Sequence, residues 1–243
     1  MFINAVQKQN APDGEEAYLD FIPAIRTLTE LKFTRPVTFF AGENGSGKST
    51  LLEAIATAYG FNPEGGSKNF NFSTQESHSR LYNRLRLVKG VPYARDGFFL
   101  RAESFYNVAS EVDRLEDPFH PPLYHSYGGK SLHHQSHGES FLALALSRFR
   151  PNGLYILDEP EAALSPSRQL TLLARFHQLV RQNAQFLIAT HSPLLMAYPD
   201  AEILWLDDLG MRPISYIDTE HYLITRRFLE NPARMLDVLL KGE

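Results

Sequence analysis

The sequence contains no cysteine, and this absence excludes disulfide bonds, thiolate zinc sites and thiol catalysis together. It also lacks any apolar run that approaches the length of a membrane-spanning helix. The N-terminal residues MFINAVQKQN lack the succession of charged, apolar and small residues that is typical of a signal peptide. We therefore expect a cytoplasmic protein without direct membrane insertion.

The chain has little excess charge of either sign. Its formal net charge is −4 over 243 residues, so there is no global electrostatic reason to expect a nucleic-acid partner. Nucleic-acid binding stays open only through a local basic patch. The apolar content of 43% is enough for one sizeable core, and we expect a single domain over residues 1–243.

The stretch AGENGSGKST, residues 41–50, has a composition that is poor for a helix interior and poor for a strand. The spacing of a phosphate-binding loop is met by Gly42, Gly47, Lys48 and Ser49. A β-branched and aromatic run at 37–40 precedes the loop, and an amphipathic segment that stops at Gly60 follows it. The sequence therefore predicts a strand, a loop and a helix that bind a nucleoside triphosphate.

The glycines explain how such a loop holds phosphate. Residues without a Cβ let the backbone curl so that successive N–H groups converge on an anion, and the helix N-terminus adds partial positive charge. Lys48 would reach the outer phosphates, and the hydroxyl of Ser49 would bind Mg²⁺. The predicted phosphate cradle comprises Asn44, Gly45, Ser46, Gly47, Lys48, Ser49 and Thr50.

The second half of the chain alternates predicted strands and helices, which favours a mainly parallel sheet covered by helices. The apolar run 154–157 leads to Asp158 and Glu159 at the carboxyl end of a strand, where ligands bind in open sheets. Asp158 would hold Mg²⁺, directly or through water, and Glu159 would orient and deprotonate an attacking water. A later strand leads to His191, which we expect at the same edge, in contact with the terminal phosphate or the water.

The order of these motifs resembles that of the ABC-type ATPases. GENGSGKST, SHGES, LYILDEP, EAALS and THS look like the Walker A, signature, Walker B, D-loop and H-loop series. Within that superfamily, PVTFFAGENGSGKSTLLEAIA and the compact length look most like small stand-alone ATPases related to SMC, RecF and OLD-type heads. The resemblance implies an α/β fold: a P-loop NTPase of the ABC head type, with a mainly parallel sheet flanked by helices.

The resemblance also implies a mechanism in which two copies face each other and sandwich each ATP. In such an ATP-dependent homodimer, Ser136 and the backbone at Gly138 would contact the γ-phosphate of the other subunit's nucleotide. Ser136 and Glu139 also stand at capping-box spacing, so a simple N-cap is the alternative. We expect a helical and signature subregion at about 106–150 and C-terminal helices at about 219–243.

The sequence departs from the family pattern at several points. The usual LSGGQ signature appears as QSHGE, so His137 occupies a glycine position, and Ser165 ends the D-loop where aspartate is common. No clear glutamine marks the loop that helps bind magnesium, and Glu103 and Ser104 are candidates by position only. Several histidines precede the signature without the spacing of metal ligands, so a polar loop beside the nucleotide is favoured over a metal site.

Several functions are compatible with these motifs. The first is a soluble ATP-hydrolysing switch that acts on an unknown protein partner, in DNA repair or in defence against foreign DNA. The second is the nucleotide-binding subunit of a membrane transporter, against which the altered signature and the missing glutamine count. A nucleotide kinase or GTPase would leave His191 and the signature without a role, and a non-hydrolysing scaffold would not need Glu159. We favour the first function.

Overall fold

The computed structural model describes residues 1–9, 17–67, 79–101, 110 and 137–241. The predictions made for Glu103, Ser104 and Ser136 lie outside the described residues. So does most of the subregion that the sequence predicts before the signature.

The described strands and helices alternate along most of the chain. In chain order the strands are β1 (Ile3–Lys8), β2 (Glu30–Lys32), β3 (Val37–Gly42), β4 (Leu85–Lys89), β5 (Asp96–Arg101), β6 (Gly153–Asp158), β7 (Gln185–Ala189), β8 (Glu202–Asp207) and β9 (Gly210–Pro213). The α-helices are α1 (Pro23–Arg26), α2 (Lys48–Tyr59), α3 (His137–Ser147), α4 (Pro166–Val180), α5 (Pro193–Met196), α6 (Glu220–Glu230) and α7 (Pro232–Lys241). Short 3-10 helices lie at Ala17–Phe21, Arg80–Arg84 and Tyr216–Asp218.

A six-stranded sheet with the order β5-β6-β7-β3-β8-β9 forms the centre of the protein. The first five strands are parallel, and β9 returns antiparallel to β8 across a tight turn. Every residue of β3, β6 and β7 is buried, as expected for parallel strands with helices on both faces. The expected α/β class with a mainly parallel sheet flanked by helices is confirmed.

Neighbouring residues of the central strands contribute to two different hydrophobic cores, because successive side chains of a strand point to opposite faces of the sheet. Phe39 and Leu157 belong to the core that α3 and α4 cover. Phe40 and Ile156 belong to the core on the other face, which α2 and the N-terminal strands cover. The helices on both faces thereby hold the sheet, and the loops at its edge, in a fixed arrangement.

A second sheet, antiparallel and three-stranded with the order β2-β1-β4, packs beside α2. The buried side chain of Gln185 joins it to the central sheet. The Gln185 Oε1 atom accepts hydrogen bonds from the Phe2 and Ile3 amides at 2.7 and 3.0 Å, and Nε2 donates to the Ile3 carbonyl at 2.9 Å. One amide side chain therefore satisfies three backbone groups at the junction.

The chain ends in α6 and α7, which have no buried residue. Helix α6 begins at Glu220 after Thr219, whose hydroxyl caps the helix by accepting the Tyr222 amide. The helix lies against α5, the short helix that follows β7. Among the described residues, none of the helices combines the length and apolar character needed to cross a bilayer.

Candidate active site

The phosphate-binding loop connects β3 to α2, as the sequence predicts. A Cβ on Gly42 would lie 2.1 Å from the Leu206 carbonyl oxygen of the neighbouring strand, so only glycine fits there. Gly47, at φ 96°, has the left-handed conformation that favours glycine, and a Cβ there would lie 2.5 Å from a methyl group of Ile22. Glycine at these two positions therefore allows both the bend and its close packing.

The loop presents backbone amides at the start of α2. An α-helix has no internal partner for its first N–H groups, and no side chain caps α2. In the described part of the chain, no other group accepts a hydrogen bond from the amides of Gly47, Ser49 or Thr50. Free amides at a helix N-terminus form a binding site for an anion such as phosphate.

Lys48 is 4% exposed, and its ammonium lies inside this loop. Its Nζ atom donates hydrogen bonds to the carbonyl oxygens of Gly42 at 2.9 Å and Glu43 at 2.7 Å. Burial lowers the pKa of Lys48, and the carboxylates of Glu159, Asp158 and Glu161 oppose this shift. Lys48 is thus a buried cation beside a cluster of acids.

Ser49 and Asp158 meet at the sheet edge. The Ser49 hydroxyl donates to Asp158 Oδ1 at 3.0 Å, although the two residues come from α2 and the end of β6. Hydroxyl and carboxylate oxygens are ligands that Mg²⁺ accepts, and the ion usually takes its remaining ligands from phosphates and water. Within the described ranges, no cluster of three His, Asp or Glu side chains forms a complete metal site. The two oxygens therefore fit a Mg²⁺ ion that arrives with a nucleotide.

Glu159 follows Asp158 with an unusual backbone. Its φ of 50° lies in the left-handed region, which is uncommon for residues other than glycine. The Glu159 amide donates to the Ala189 carbonyl at 3.0 Å, which ties this turn to the end of β7. Its side chain is 43% exposed, and Oε1 lies 3.7 Å from Nε2 of His191. Backbone strain of this kind is concentrated at functional sites, where it orients a side chain.

His191 lies two residues beyond β7, and both its backbone amide and its ring contact other side chains. Its amide donates to Glu161 Oε1 at 2.6 Å, and its Nδ1 atom lies 3.0 Å from Nε2 of His221. Burial, aided by the charges of Lys48 and His221, lowers the pKa of His191 to about 4. The ring is therefore neutral near pH 7 and carries a single N–H.

The strand order explains how these groups meet. Because β6, β7 and β3 are adjacent and parallel, their carboxyl ends lie side by side. Asp158, His191 and the phosphate loop follow these three ends and share one edge of the sheet. Their predicted chemical roles stay proposals, which we take up below.

Two residues of this site, Glu161 and His221, are missing from the sequence-based prediction. Glu161 accepts the amide of His191, and burial raises the pKa of its carboxyl. In the sequence, the only indication of a role for Glu161 is its place in DEPE, close to Asp158 and Glu159, and this signal is weak. His221 lies in a C-terminal helix without any motif, so only the tertiary structure shows its contact with His191.

Helix α3 carries the signature segment and packs against the D-loop of the same chain. Gly138 is buried, and a Cβ there would lie 2.2 Å from the Ala163 carbonyl oxygen. The adjacent Glu139 pairs with Arg168 of α4 at 3.0 Å. The contact of Gly138 with a second subunit's nucleotide stays a prediction.

Family models match two segments of the chain. Residues 21–98 match a model described as "AAA domain". Residues 131–197 match one described as "AAA domain, putative AbiEii toxin, Type IV TA system". The first segment contains the phosphate loop, and the second contains Asp158, Glu159 and His191, so the two matches meet in one site.

The chain is a P-loop ATPase, and both matched segments carry the AAA-domain description. It binds ATP with Mg²⁺ and hydrolyses the nucleotide. A comparison of the ATPase with curated proteins finds no match.

Several solved structures share low identity with the ATPase. The SMC head domain from Thermotoga maritima is 16% identical with a TM-score of 0.38, and the match covers 88% of this chain and 100% of that chain. The structure of cbiO1 from Clostridium perfringens, part of the ABC transporter complex cbiONQ, is 16% identical with a TM-score of 0.48. That match covers 95% of this chain and 96% of that chain. The structure of the SmcHead bound to the C-winged helix domain of ScpA is 13% identical with a TM-score of 0.46. That match covers 88% of this chain and 97% of that chain. The assignment rests on the site and on the family models, not on these similarities.

Proposed function

We propose that the ATPase works as a nucleotide-sandwich homodimer, a switch that closes on ATP and opens after hydrolysis. The observation that carries this proposal is the exposure of the hydrolytic groups. The side chain of Glu159 is 43% exposed in the single chain, and that of His191 is 30% exposed although its Nε2 atom is buried. Hydrolysis by a positioned water needs a site from which bulk water is excluded, so we infer that a second surface covers this edge.

The position of each residue in the site indicates its role in hydrolysis. Lys48 and the amides of the loop bind the phosphates, and Ser49 with Asp158 holds the Mg²⁺ ion. Bound Mg²⁺ neutralises charge on the phosphate oxygens. Glu159 orients the attacking water and accepts its proton, while the neutral His191 donates its N–H to an oxygen of the terminal phosphate.

The second surface is provided by the signature and D-loop of another copy. A Cβ on Gly138 would lie 2.2 Å from the Ala163 carbonyl oxygen, so the start of α3 packs directly on the D-loop. The start of a helix offers free amides to an anion, and the predicted contributors are Ser136 and Gly138. We infer that this surface faces the exposed edge of the partner's site, which completes two ATP sites per dimer.

The biological role that we propose is a cytoplasmic switch in defence against foreign DNA or in DNA repair. The description of the matched family model, which names a toxin of a type IV system, supports the defence alternative. The net charge of −4 does not favour direct binding to nucleic acid, so a protein partner is the expected recipient of the conformational change.

The decisive experiment uses Glu159→Gln, which keeps the size of the side chain and removes its basicity. With ATP and Mg²⁺, light scattering should give twice the monomer mass, because binding persists while hydrolysis stops. Lys48→Ala is the matched control, since it should stay monomeric under the same conditions. A Glu159→Gln variant that binds ATP and remains monomeric would contradict the sandwich. Hydrolysis that requires an added membrane protein would favour a transporter subunit instead.

A further inference from the structure

The ring of His191 is connected to the C-terminal helix α6 through a second histidine. His221 occupies the first turn of α6, and its Nε2 atom lies 3.0 Å from Nδ1 of His191. The rings of His221 and of Trp205 in β8 form a T-shaped contact, with ring centroids 5.7 Å apart. His221 is thereby fixed between the catalytic edge and the sheet.

The two rings form a pair, and each ring has a second nitrogen that faces away from the other ring. Within the described residues, the buried Nε2 of His191 and the buried Nδ1 of His221 have no hydrogen-bond partner. Glu159 Oε1 lies 3.7 Å from Nε2 of His191, and Glu220 is the acid adjacent to His221 in sequence. Both rings are neutral near pH 7, because burial lowers the pKa of each. Each therefore carries one proton, and two arrangements of these protons are available.

The surroundings favour one arrangement. If His221 Nε2–H donates to His191 Nδ1, then His191 carries its proton on Nε2 and points an N–H at Glu159. In the opposite arrangement, a bare His191 Nε2 faces the carboxylate, and His221 Nδ1–H is a buried donor without an acceptor. Each arrangement leaves one N–H without a hydrogen-bond acceptor, but in the first this N–H faces the negative charge of Glu159, whereas in the second a bare nitrogen faces that charge.

We infer that His221 is a positioning residue that holds His191 in the tautomer with the proton on Nε2. This inference rests on the role proposed above for His191, since an anionic phosphate oxygen needs an N–H and not a bare nitrogen. His221 acts only through His191. The hydrogen bond also connects the nucleotide site to α6, and α6 packs on α5, which directly follows the His191 loop.

A matched pair of substitutions tests the inference. His221→Phe fills the same space but cannot donate, whereas His221→Gln keeps an N–H donor. We expect His221→Phe to lower kcat by about tenfold to a hundredfold with little change in KM for ATP. His221→Gln should retain most of the activity. Equal losses in the two variants, or wild-type activity in His221→Phe, would overturn the inference.

A spectroscopic measurement separates tautomer from packing. In protein labelled with ¹⁵N-histidine, long-range ¹H–¹⁵N spectra distinguish protonated from bare ring nitrogens, and the His191→Gln spectrum identifies the His191 signals. We expect a proton on Nε2 in the wild type and in His221→Gln, with a shift toward Nδ1 in His221→Phe. A proton on Nδ1 in the wild type would refute the inference, even if no His221 variant folds.

The same measurements distinguish a failure of this inference from a failure of the proposed function. Loss of hydrolysis in His191→Gln tests whether His191 acts at all, whereas the tautomer of His191 is read without any turnover. An active His191→Gln would contradict the function proposed for His191. An unchanged tautomer in His221→Phe would contradict only the role of His221.

Discussion

The Ser49 hydroxyl donates to Asp158 Oδ1 at 3.0 Å, across 109 positions of sequence. This bond joins the start of α2 to the end of β6 and places two oxygen ligands where the phosphate loop presents its amides. Asp158 is 7% exposed, so its charge is largely withdrawn from water beside the buried Lys48. We propose that this pair provides two of the ligands of the Mg²⁺ ion.

The first prediction concerns the metal requirement. Asp158→Asn keeps the shape and an acceptor for Ser49 but removes the negative charge. The Mg²⁺ concentration for half-maximal hydrolysis should rise by about tenfold or more, because the carboxylate is the only charged protein ligand proposed for the ion. A titration of ATPase rate against Mg²⁺ measures this, with the exposed Asp208→Asn as control. An unchanged midpoint would argue against Asp158 as a metal ligand.

The second prediction concerns the buried ammonium. Lys48→Met removes the charge while keeping much of the apolar stem, so ATP should bind at least about a hundredfold more weakly, equivalent to about 2.7 kcal/mol. Isothermal titration calorimetry measures the affinity, and Lys32→Met at the surface is the control. Wild-type affinity in Lys48→Met would contradict the assignment of the phosphate loop.

The third prediction concerns stability as a function of pH. Burial lowers the pKa of His191 from 6.5 to about 4, so between these values the unfolded chain binds more protons at this residue than the folded chain. The free energy of unfolding should therefore decrease as the pH falls from 6.5 toward 4.

Urea denaturation at several pH values measures this dependence. His191→Gln removes the titrating ring, so its unfolding free energy should fall less steeply over the same interval than that of the wild type. A comparison with His177→Gln controls for the loss of a histidine elsewhere. Identical slopes for the wild type and His191→Gln would show that the ring is not held neutral in the fold.

The fourth prediction concerns the signature helix. Gly138→Ala places a methyl group 2.2 Å from the Ala163 carbonyl oxygen, so the start of α3 must shift away from the D-loop. We expect hydrolysis to fall by about tenfold or more, while ATP affinity of the isolated subunit stays within about twofold. The phosphate loop makes the subunit's own contacts with ATP, which is why binding is spared.

Leu146→Ala is the matched control, because this residue of the same helix is 43% exposed and lies outside the signature. It should keep near-normal activity and stability. A parallel loss of binding and hydrolysis in Gly138→Ala would indicate that α3 supports the fold and not the trans site.

The sequence by itself determined the local parts of this protein. The glycine spacing from Gly42 to Gly47 specifies a phosphate loop, because few other residues tolerate such backbone angles and close contacts. The apolar run before Asp158 predicts a buried strand that ends in acids, because periodicity and burial are short-range signals. The alternation of such segments predicts a parallel sheet covered by helices, and the structure confirms it.

The tertiary structure alone decided which distant groups share the site. The order β6-β7-β3 sets Asp158 and His191 beside the loop, and the packing of α6 brings His221 to His191. Neither relationship appears in residue spacing, because strand order and helix docking depend on burying whole apolar faces and not on any single motif. Single histidines and glycines such as His221 and Gly138 acquire their importance only from the neighbours that the fold gives them.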